Sequence, residues 1–467
     1  MARPFDKVLV ANRGEIARRV MRTCKKLGIA TVAVYSEADR EAPHVSDADE
    51  AVLVGPPPAK DSYLNVDAIL DAVKRTGAKA VHPGYGFLSE KPAFARAVAG
   101  AGVVFVGPPP AVLEAFGDKM KARRVALEAG TQPVPGTDEP IAIDTEEGLR
   151  EARAVADRVS YPVVVKAVGG GGGIGMQVVA DPGSLEKALR TCSDRGRSAF
   201  ADARVYLEHY VDQPRHIEVQ VFCDTHGGAY GLGERECSVQ RRHQKIVEET
   251  PSPAAFFAGE AGEKRRQELF AAALRVVTHV GYVGAGTCEF IADAEGRLFF
   301  LEVNARLQVE HPVTEMVTGL DLVELQLRVA AGERLPDLST ARRTGHAVEA
   351  RVYAEDPSKG FIPKPGAVDT LVWAGGAGES QTAHLRVESG VRAGNKVTPY
   401  YDPMIAKVAA WGETRDAALA ELDRALAGTT IAPCTTNLAF LRKILGDPEF
   451  RAGRYDTKFA EALAKRG

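Results

Sequence analysis

Apolar positions in this chain alternate between two spacings. Lys7–Ala11 (KVLVA) is a nearly unbroken apolar run of the kind that buried strands carry. Asn12–Glu15 reads as a tight turn. Ile16, Val20, Cys24 and Leu27 then recur at helical spacing, up to a stop at Gly28. Thr31–Tyr35 is a second strand, ending in Ser36–Asp39. Strand, turn, helix and strand together predict a Rossmann-like start. The first turn holds one glycine, not G-x-G-x-x-G, so dinucleotide binding is not expected there. AVLVGPPP (51–58) and VVFVGPPP (103–110) are further strands, each halted at Gly-Pro-Pro-Pro. Between them a strand from Ala80 runs out into HPGYGFLSE (82–90). From composition alone this is a Pro-Gly turn with Tyr85 packed on it, although ligands of open α/β sheets do bind at such carboxyl ends.

From Asp118 the texture changes. A basic helix runs to about Ala129, and 130–144, rich in Pro, Gly and Thr, is a linker. PVVVKAVGGGGGIGMQVVA (162–180) formally contains G-x-G-x-x-G, but a strand follows it and not a helix. A glycine loop between two strands, with Lys166 on the first, is the arrangement of a mobile lid over phosphates: no Cβ keeps backbone N–H groups away, and the lysine adds charge. Val205–Val211, Ile217–Cys223 and Ala229–Gly233 are strands. In ECSVQRRHQKIVEE (236–249) an extended chain would put Arg241, His243 and Lys245 on one face; the flanking acids disfavour nucleic acid and favour a small anion. Glu263–Val280 is an amphipathic helix.

GTCEFIADAEGRLFFLEVNARLQVEH (286–311) reads as a hairpin with its turn at Asp293–Gly296. Centring that turn on Glu295 and Gly296 sets Glu289 opposite Glu302, with Asn304 and Arg306 on the same side. Facing carboxylates repel. With an amide oxygen beside them they suit a hard divalent ion, magnesium or manganese; a solvent-facing acidic hairpin is the bland alternative. Asp321–Ala331 is a helix and 332–344 a boundary. Strands at 346–356, 367–376 and 404–411 and helices at 414–427 and 437–445 follow, with Glu349 and Tyr353 on the face of Arg351.

Composition narrows the class. A net charge of −3 gives no basic field for nucleic acid. Six cysteines without a C-x-x-C pair argue against a disulfide framework or structural zinc and fit a reducing, cytoplasmic setting. No apolar run reaches membrane-spanning length, and the start shows no targeting segment. The expected class is α/β: a Rossmann-like N-terminal domain (1–115), a central domain (116–335) with the glycine-rich lid at about 136–208, and a C-terminal α+β domain (336–467).

Together these stretches resemble the biotin carboxylase family of the ATP-grasp superfamily. ANRGEIARRV (11–20), HPGYGFLSE, GDK (117–119), KAVGGGGGIGM (166–176), ECSVQRRHQKIVEE, GTCEF (286–290), LEVNARLQVEHPVTEM (301–316), GHAVEARVYAEDP (345–357) and PYYDPMIAK (399–407) carry the resemblance. It implies ATP contacts at Lys119, Lys166, Gly172, Gly173, His216 and His243, with adenine held along Glu208, His209, Tyr210 and Val211. It implies magnesium or manganese on Glu289, Glu302 and Asn304, and bicarbonate at Lys245, Arg306 and the backbone of Val309. Glu310 would be the base, with Arg351 and Tyr85 against biotin. The implied product is carboxybiotin on a separate carrier protein or domain, with a carboxyltransferase subunit as further partner and a homodimer as assembly. No A-M-K-M-like biotinylation sequence is present, so biotin is expected to arrive on that carrier. An acyl-CoA carboxylase of acetyl or propionyl type is the expected context, with a 2-oxo acid carboxylase or a non-catalytic ATP-binding subunit as alternatives. Two positions depart from the family: Ile174 stands where Arg or Lys is usual, and His209 replaces a common Lys.

Overall fold

The computed structural model describes residues 3–168, 175–200, 202–374 and 382–466. Its first layer is a parallel sheet of β1 (Lys7–Val10), β2 (Ala30–Ser36), β3 (Glu50–Gly55), β4 (Ala80–His82) and β5 (Val104–Phe105), in the order β3-β2-β1-β4-β5. Parallel strands are covered on both faces, hence their apolar runs. The 103–110 stretch forms less strand than its apolar run predicts, because Gly107 and three prolines lead directly into the helix Pro110–Phe116.

The tight turn after β1 serves the 82–90 loop. Asn12 Nδ2 donates to the carbonyls of Pro83 and Tyr85, each at 2.7 Å. Gly84 has φ +62°, and a Cβ there would lie 2.9 Å from Asn12 Nδ2, so only glycine lets the loop come this close. The acidic end of β2 is also engaged: Arg13 holds Asp39 through two bonds of 2.5 and 2.7 Å. Asp39 is thereby committed within the protein and is not open to a dinucleotide ribose, in line with the single-glycine turn.

A three-stranded sheet, β7-β6-β8, forms the lid: β6 (Val163–Ala167), β7 (Met176–Val179) and β8 (Val205–His209). β6 and β7 are antiparallel with Lys166 opposite Met176, as a glycine-loop hairpin requires. Gly172, Gly173 and Ile174 lie outside the described residues. Two helices that the pattern did not reveal, Glu146–Val159 and Pro182–Phe200, pack on this sheet. Their start signals were present: Thr145 caps the first by accepting from Gly148 N at 3.0 Å, and Pro182 opens the second.

The largest sheet has eight strands. β9 (Arg215–Cys223), β10 (Ala229–Arg241), β11 (Gln244–Thr250), β12 (Gly284–Ala292), β13 (Leu298–Asn304) and β14 (His346–Tyr353) join the strands Leu385–Ser389 and Met404–Gly412. The order is β13-β12-β9-β10-β11-β14, then Met404–Gly412, then Leu385–Ser389. The sheet therefore runs unbroken across the 332–344 boundary. The remaining C-terminal strand predicted at 367–376 is Gly366–Val372, in a separate small sheet.

The extended reading of the basic block does not hold. β10 and β11 form a tight hairpin whose turn residues Arg242 and His243 have φ of +49° and +65°. Gln240 faces Lys245, and Arg241 faces Gln244. The turn sends Arg241 and Lys245 to opposite sides. Arg241 bonds Glu355 at 2.5 Å and lies 4.5 Å from the Phe361 ring, while His243 sits exposed at the tip.

The 286–304 hairpin does pair Glu289 with Glu302, by a different route than an even-numbered turn. Ala292–Leu298 and Phe290–Phe300 pair around an odd-numbered turn, and one extra residue, Leu301, then shifts the register by one.

Candidate active site

Two groups of residues meet along the inner side of the large sheet. The first is a pocket under the lid, lined by Lys119, Met120, Arg123, Lys166, Tyr206, Glu208 and Leu301 among others. Lys119 begins the helix Lys119–Glu128, whose first turn is capped by the Asp118 side chain. Its ammonium is 3.6 Å from Glu302 Oε2; burial works against its charge, but Glu302 keeps its pKa above the ordinary value. Lys166 Nζ donates to Glu208 Oε2, and Arg123 lies 3.6 Å from Glu208 Oε1. Three cations, Lys119, Arg123 and Lys166, thus line the pocket. Next to Glu208, His209 N donates to Pro135 O at 2.7 Å and Tyr210 N to Pro162 O at 2.9 Å, tying Glu208–Val211 down as a connector. The ring of His209 lies 3.0 Å from Val159 O, on the protein and away from this pocket.

The second group surrounds Lys245. Its Nζ reaches Glu218 (2.6 Å), Glu310 (2.8 Å), Glu289 (2.9 Å) and the Gln308 amide oxygen (3.2 Å). Burial opposes the charge, yet these three carboxylates raise the Lys245 pKa well above its ordinary value. Glu289 Oε1 also receives Asn304 Nδ2 at 2.8 Å and Gln308 Nε2 at 3.1 Å, and His216 Nε2 is 3.1 Å from Oε2. Burial alone would raise Glu289, but Lys245 and His216 hold it well below the carboxylate range. Glu218 is oriented by Arg235 at 2.5 Å, which also bonds Gln220, Thr287 and Thr314.

Two sets of ligand atoms converge here, His216–Glu218–Glu289 and Glu218–Cys237–Glu310, each within 4.8 Å. The Lys245 ammonium bonds acids of both sets, and Glu289 belongs to the first set and to the hairpin alike. The hairpin set fits a metal better. Glu289 and Glu302 face each other across the ladder beside Asn304, and the donors gathered on Glu289 mark a carboxylate held fully ionised. Two carboxylates and an amide oxygen match a hard divalent ion.

Glu310 sits at the N-cap of the helix His311–Thr318 and is 1% exposed. Lys245 holds its Oε1, and Arg351 Nη2 lies 3.0 Å from its Oε2. These cations outweigh burial and keep Glu310 ionised, with its pKa well below the ordinary range. Arg306 is braced by Glu90 at 2.9 Å and by Asn304 at 3.1 Å. Tyr85 donates to Glu15, beside the fully buried Lys407, whose Nζ lies 5.9 Å from the Tyr85 ring. Lys407 donates to Val309 O at 2.5 Å, fixing the backbone one residue before Glu310.

The structure thus brings Lys245, Arg306, Glu310, Arg351, Glu289, Asn304 and His216 together, and Lys119, Lys166 and Glu208 into the neighbouring pocket. His243 stands apart at its exposed turn. Sequence reasoning gave no role to Lys407, Glu218, Gln308, Arg235 or Glu90. Lys407 alone carried a visible signal, a lysine inside the apolar strand MIAKVAAW.

A lid sheet over a pocket lined by Lys119, Arg123 and Lys166, next to an acidic hairpin, defines an ATP-grasp ligase. Family models match most of the chain: biotin carboxylase N-terminal domain over 4–113, the ATP-binding domain of the carbamoyl-phosphate synthase L chain over 118–338, and biotin carboxylase C-terminal domain over 349–462. The biotin carboxylase of Halalkalibacterium halodurans is 47% identical, covering 97% of both chains. The propionyl-CoA carboxylase alpha chain of Ruegeria pomeroyi is 46% identical over 97% of this chain and 67% of its own length. The chain spans 60% of the rice methylcrotonoyl-CoA carboxylase subunit alpha, at 48% identity. Among solved structures, the biotin carboxylase of Campylobacter jejuni superposes with a TM-score of 0.90 at 39% identity, covering 98% of this chain and 99% of that one. The biotin carboxylase domain dimer of Hydrogenobacter thermophilus 2-oxoglutarate carboxylase, with MgADP and bicarbonate, gives 0.89 at 41%, covering 98% and 97%. The chain belongs to the biotin carboxylase family, ATP-dependent ligases that carboxylate biotin.

Proposed function

We propose that the chain carboxylates biotin on a separate carrier protein or domain and passes it to a carboxyltransferase, as the first half-reaction of an acyl-CoA carboxylase. The relatives above that act on propionyl-CoA and methylcrotonoyl-CoA support this context. The likeness to the 2-oxoglutarate carboxylase domain supports a 2-oxo acid acceptor as second reading. The dimer of the Hydrogenobacter domain supports a homodimer, and six free cysteines support a cytoplasmic place. No described helix is long and apolar enough to cross a membrane. We take 1–115, 116–335 and 336–467 as the domain limits, with the lid at 136–208.

The observation that carries the mechanism is Glu310 held between Lys245 and Arg351 beside the acidic hairpin. Bicarbonate lies on Lys245, Arg306 and the Val309 backbone, with arginine suited to two-point contact. Glu310 takes its proton, and the freed oxygen attacks the terminal phosphorus of ATP as ADP leaves. Lys119 and Lys166 offset the charge on the phosphates, with the lid glycines Gly172 and Gly173 and His216 as further contacts and Glu208–Val211 along adenine. Glu289, Glu302 and Asn304 would hold magnesium or manganese, which neutralises phosphate charge. Carboxyphosphate splits into carbon dioxide and phosphate. Phosphate then takes the ureido proton of biotin, and the biotin nitrogen attacks carbon dioxide. Arg351 stabilises the enolate-like oxygen of biotin, with Tyr85 alongside.

The test is ADP release that depends on both bicarbonate and biotin. Glu310→Gln and Arg351→Ala should each lower biotin carboxylation by at least about a hundredfold. Full carboxylation by either variant would overturn these roles, and a wild-type chain that binds ATP without carboxylating biotin would overturn the function.

A further inference from the structure

The residues described so far leave two buried acids without a task. Glu248 on β11 and Glu349 on β14 stand directly opposite each other in the sheet, and both are fully buried. Facing carboxylates repel, and two ionised ones in a dry site would be costly. Among the described residues, none of their four oxygens has a hydrogen-bond partner. One cation is in reach: Arg351 Nη2 lies 2.6 Å from Glu248 Oε1, the same nitrogen that lies 3.0 Å from Glu310 Oε2. Lys407, next on this face across the sheet from Arg351, directs its ammonium to Val309 O and, at 3.5 Å, to Glu15. Lys245 is committed to Glu218, Glu289 and Glu310. Among the described residues, Glu349 is left without a counter-ion of its own.

We propose that Glu248 is the standing counter-ion of Arg351 and that Glu349 stays protonated so that Glu248 can be charged. Glu248 is then a positioning residue for biotin carboxylation. The idea rests on the assignment of Glu310 and Arg351 made above. In the resting site Arg351 lies between two anions, Glu248 and Glu310. When Glu310 takes the proton of bicarbonate its charge is lost, and with it half of what holds Arg351. Glu248 keeps the guanidinium in place until the developing oxyanion of biotin replaces Glu310 as the second anion. No proton leaves the Glu248–Glu349 pair in this exchange. Burial supports the division of roles: it pushes Glu248 up to about 7, against the pull of Arg351, and Glu349 well above the carboxylate range.

Infrared spectroscopy of the whole chain reads the pair without any turnover. A protonated buried carboxyl should give its carbonyl band at pH 8 in wild type and in Glu248→Gln, and lose it in Glu349→Gln. Kinetics give the second readout. Glu248→Gln should lower kcat for biotin carboxylation by at least about tenfold while the KM for ATP stays within about twofold. Glu248→Asp, which keeps the charge, should recover part of that loss. Glu349→Gln, which keeps a neutral group, should fall by at least about threefold less than Glu248→Gln. Absence of the band in wild type, or equal losses in the two glutamine variants, overturns the proposal. Because the band needs no catalysis, a failure of the proposed function and a failure of this pair are read separately.

Discussion

At the scale of single residues, Lys245 holds most of the site's charge balance. Three buried carboxylates share its ammonium, and removing one partner of such a network leaves the others unpaired in a dry place. Lys245→Met should therefore cost about 3–5 kcal/mol of stability, read from the urea midpoint, besides weakening bicarbonate. Saturating magnesium should restore part of the midpoint if Glu289 belongs to the metal hairpin. Residue chemistry was legible in part. The facing glutamates on β12 and β13 could be read from alternation, because a strand has a period of two. Glu218 and Glu248 could not, since nothing in IEVQVFC or KIVEE says which acid points at Lys245 or Arg351. Such partners come from strands that meet only after the sheet has formed.

At the scale of elements, turns decided where pattern reading succeeded. The hairpin of β12 and β13 kept its expected pairing because an odd turn and the extra residue Leu301 compensate. No such compensation rescued the basic block, where two positive-φ residues turn the chain back and part Arg241 from Lys245. Neither Arg242 nor His243 is a residue that announces a tight hairpin turn, so composition gave no warning. The 82–90 loop depends on backbone geometry in the same way. Gly84→Ala should cost about 1–3 kcal/mol through its positive φ and the Asn12 contact, measured by urea unfolding. It should also raise the KM for biotin, since Tyr85 is the next residue. An unchanged KM would separate that loop from biotin.

At the scale of the whole molecule, Glu249 ties the central and C-terminal parts together. It accepts from His346 at 2.6 Å, from Arg415 at 2.6 and 2.9 Å and from Tyr455 at 2.5 Å. Burial raises its pKa, but His346 and Arg415 outweigh that and bring it from an ordinary 4.5 to about 2. A lowered folded value stabilises above the unfolded value, so this contribution is present above pH 4.5 and lost as pH falls toward 2. Its size is about 3 kcal/mol. Glu249→Gln should flatten the acid limb of stability against pH, measured by urea midpoints from neutral to acid; an unaltered limb would place the acid sensitivity elsewhere.

The eight-stranded sheet also has a consequence in time. β11 is made early and its partner β14 follows about a hundred residues later, so at roughly 5–20 residues per second a growing chain exposes the free edge of β11 for several seconds. Bare edges recruit other chains. The glutamates and Lys245 on β11 guard it during that interval, charges set inward on an unpaired edge, before the same side chains become the counter-ions of Arg351 and Glu310. The guard is needed only for those seconds; a chain ended before His346 keeps the edge bare for good and should aggregate once released, and supplying 346–467 as a separate piece should not dissolve it.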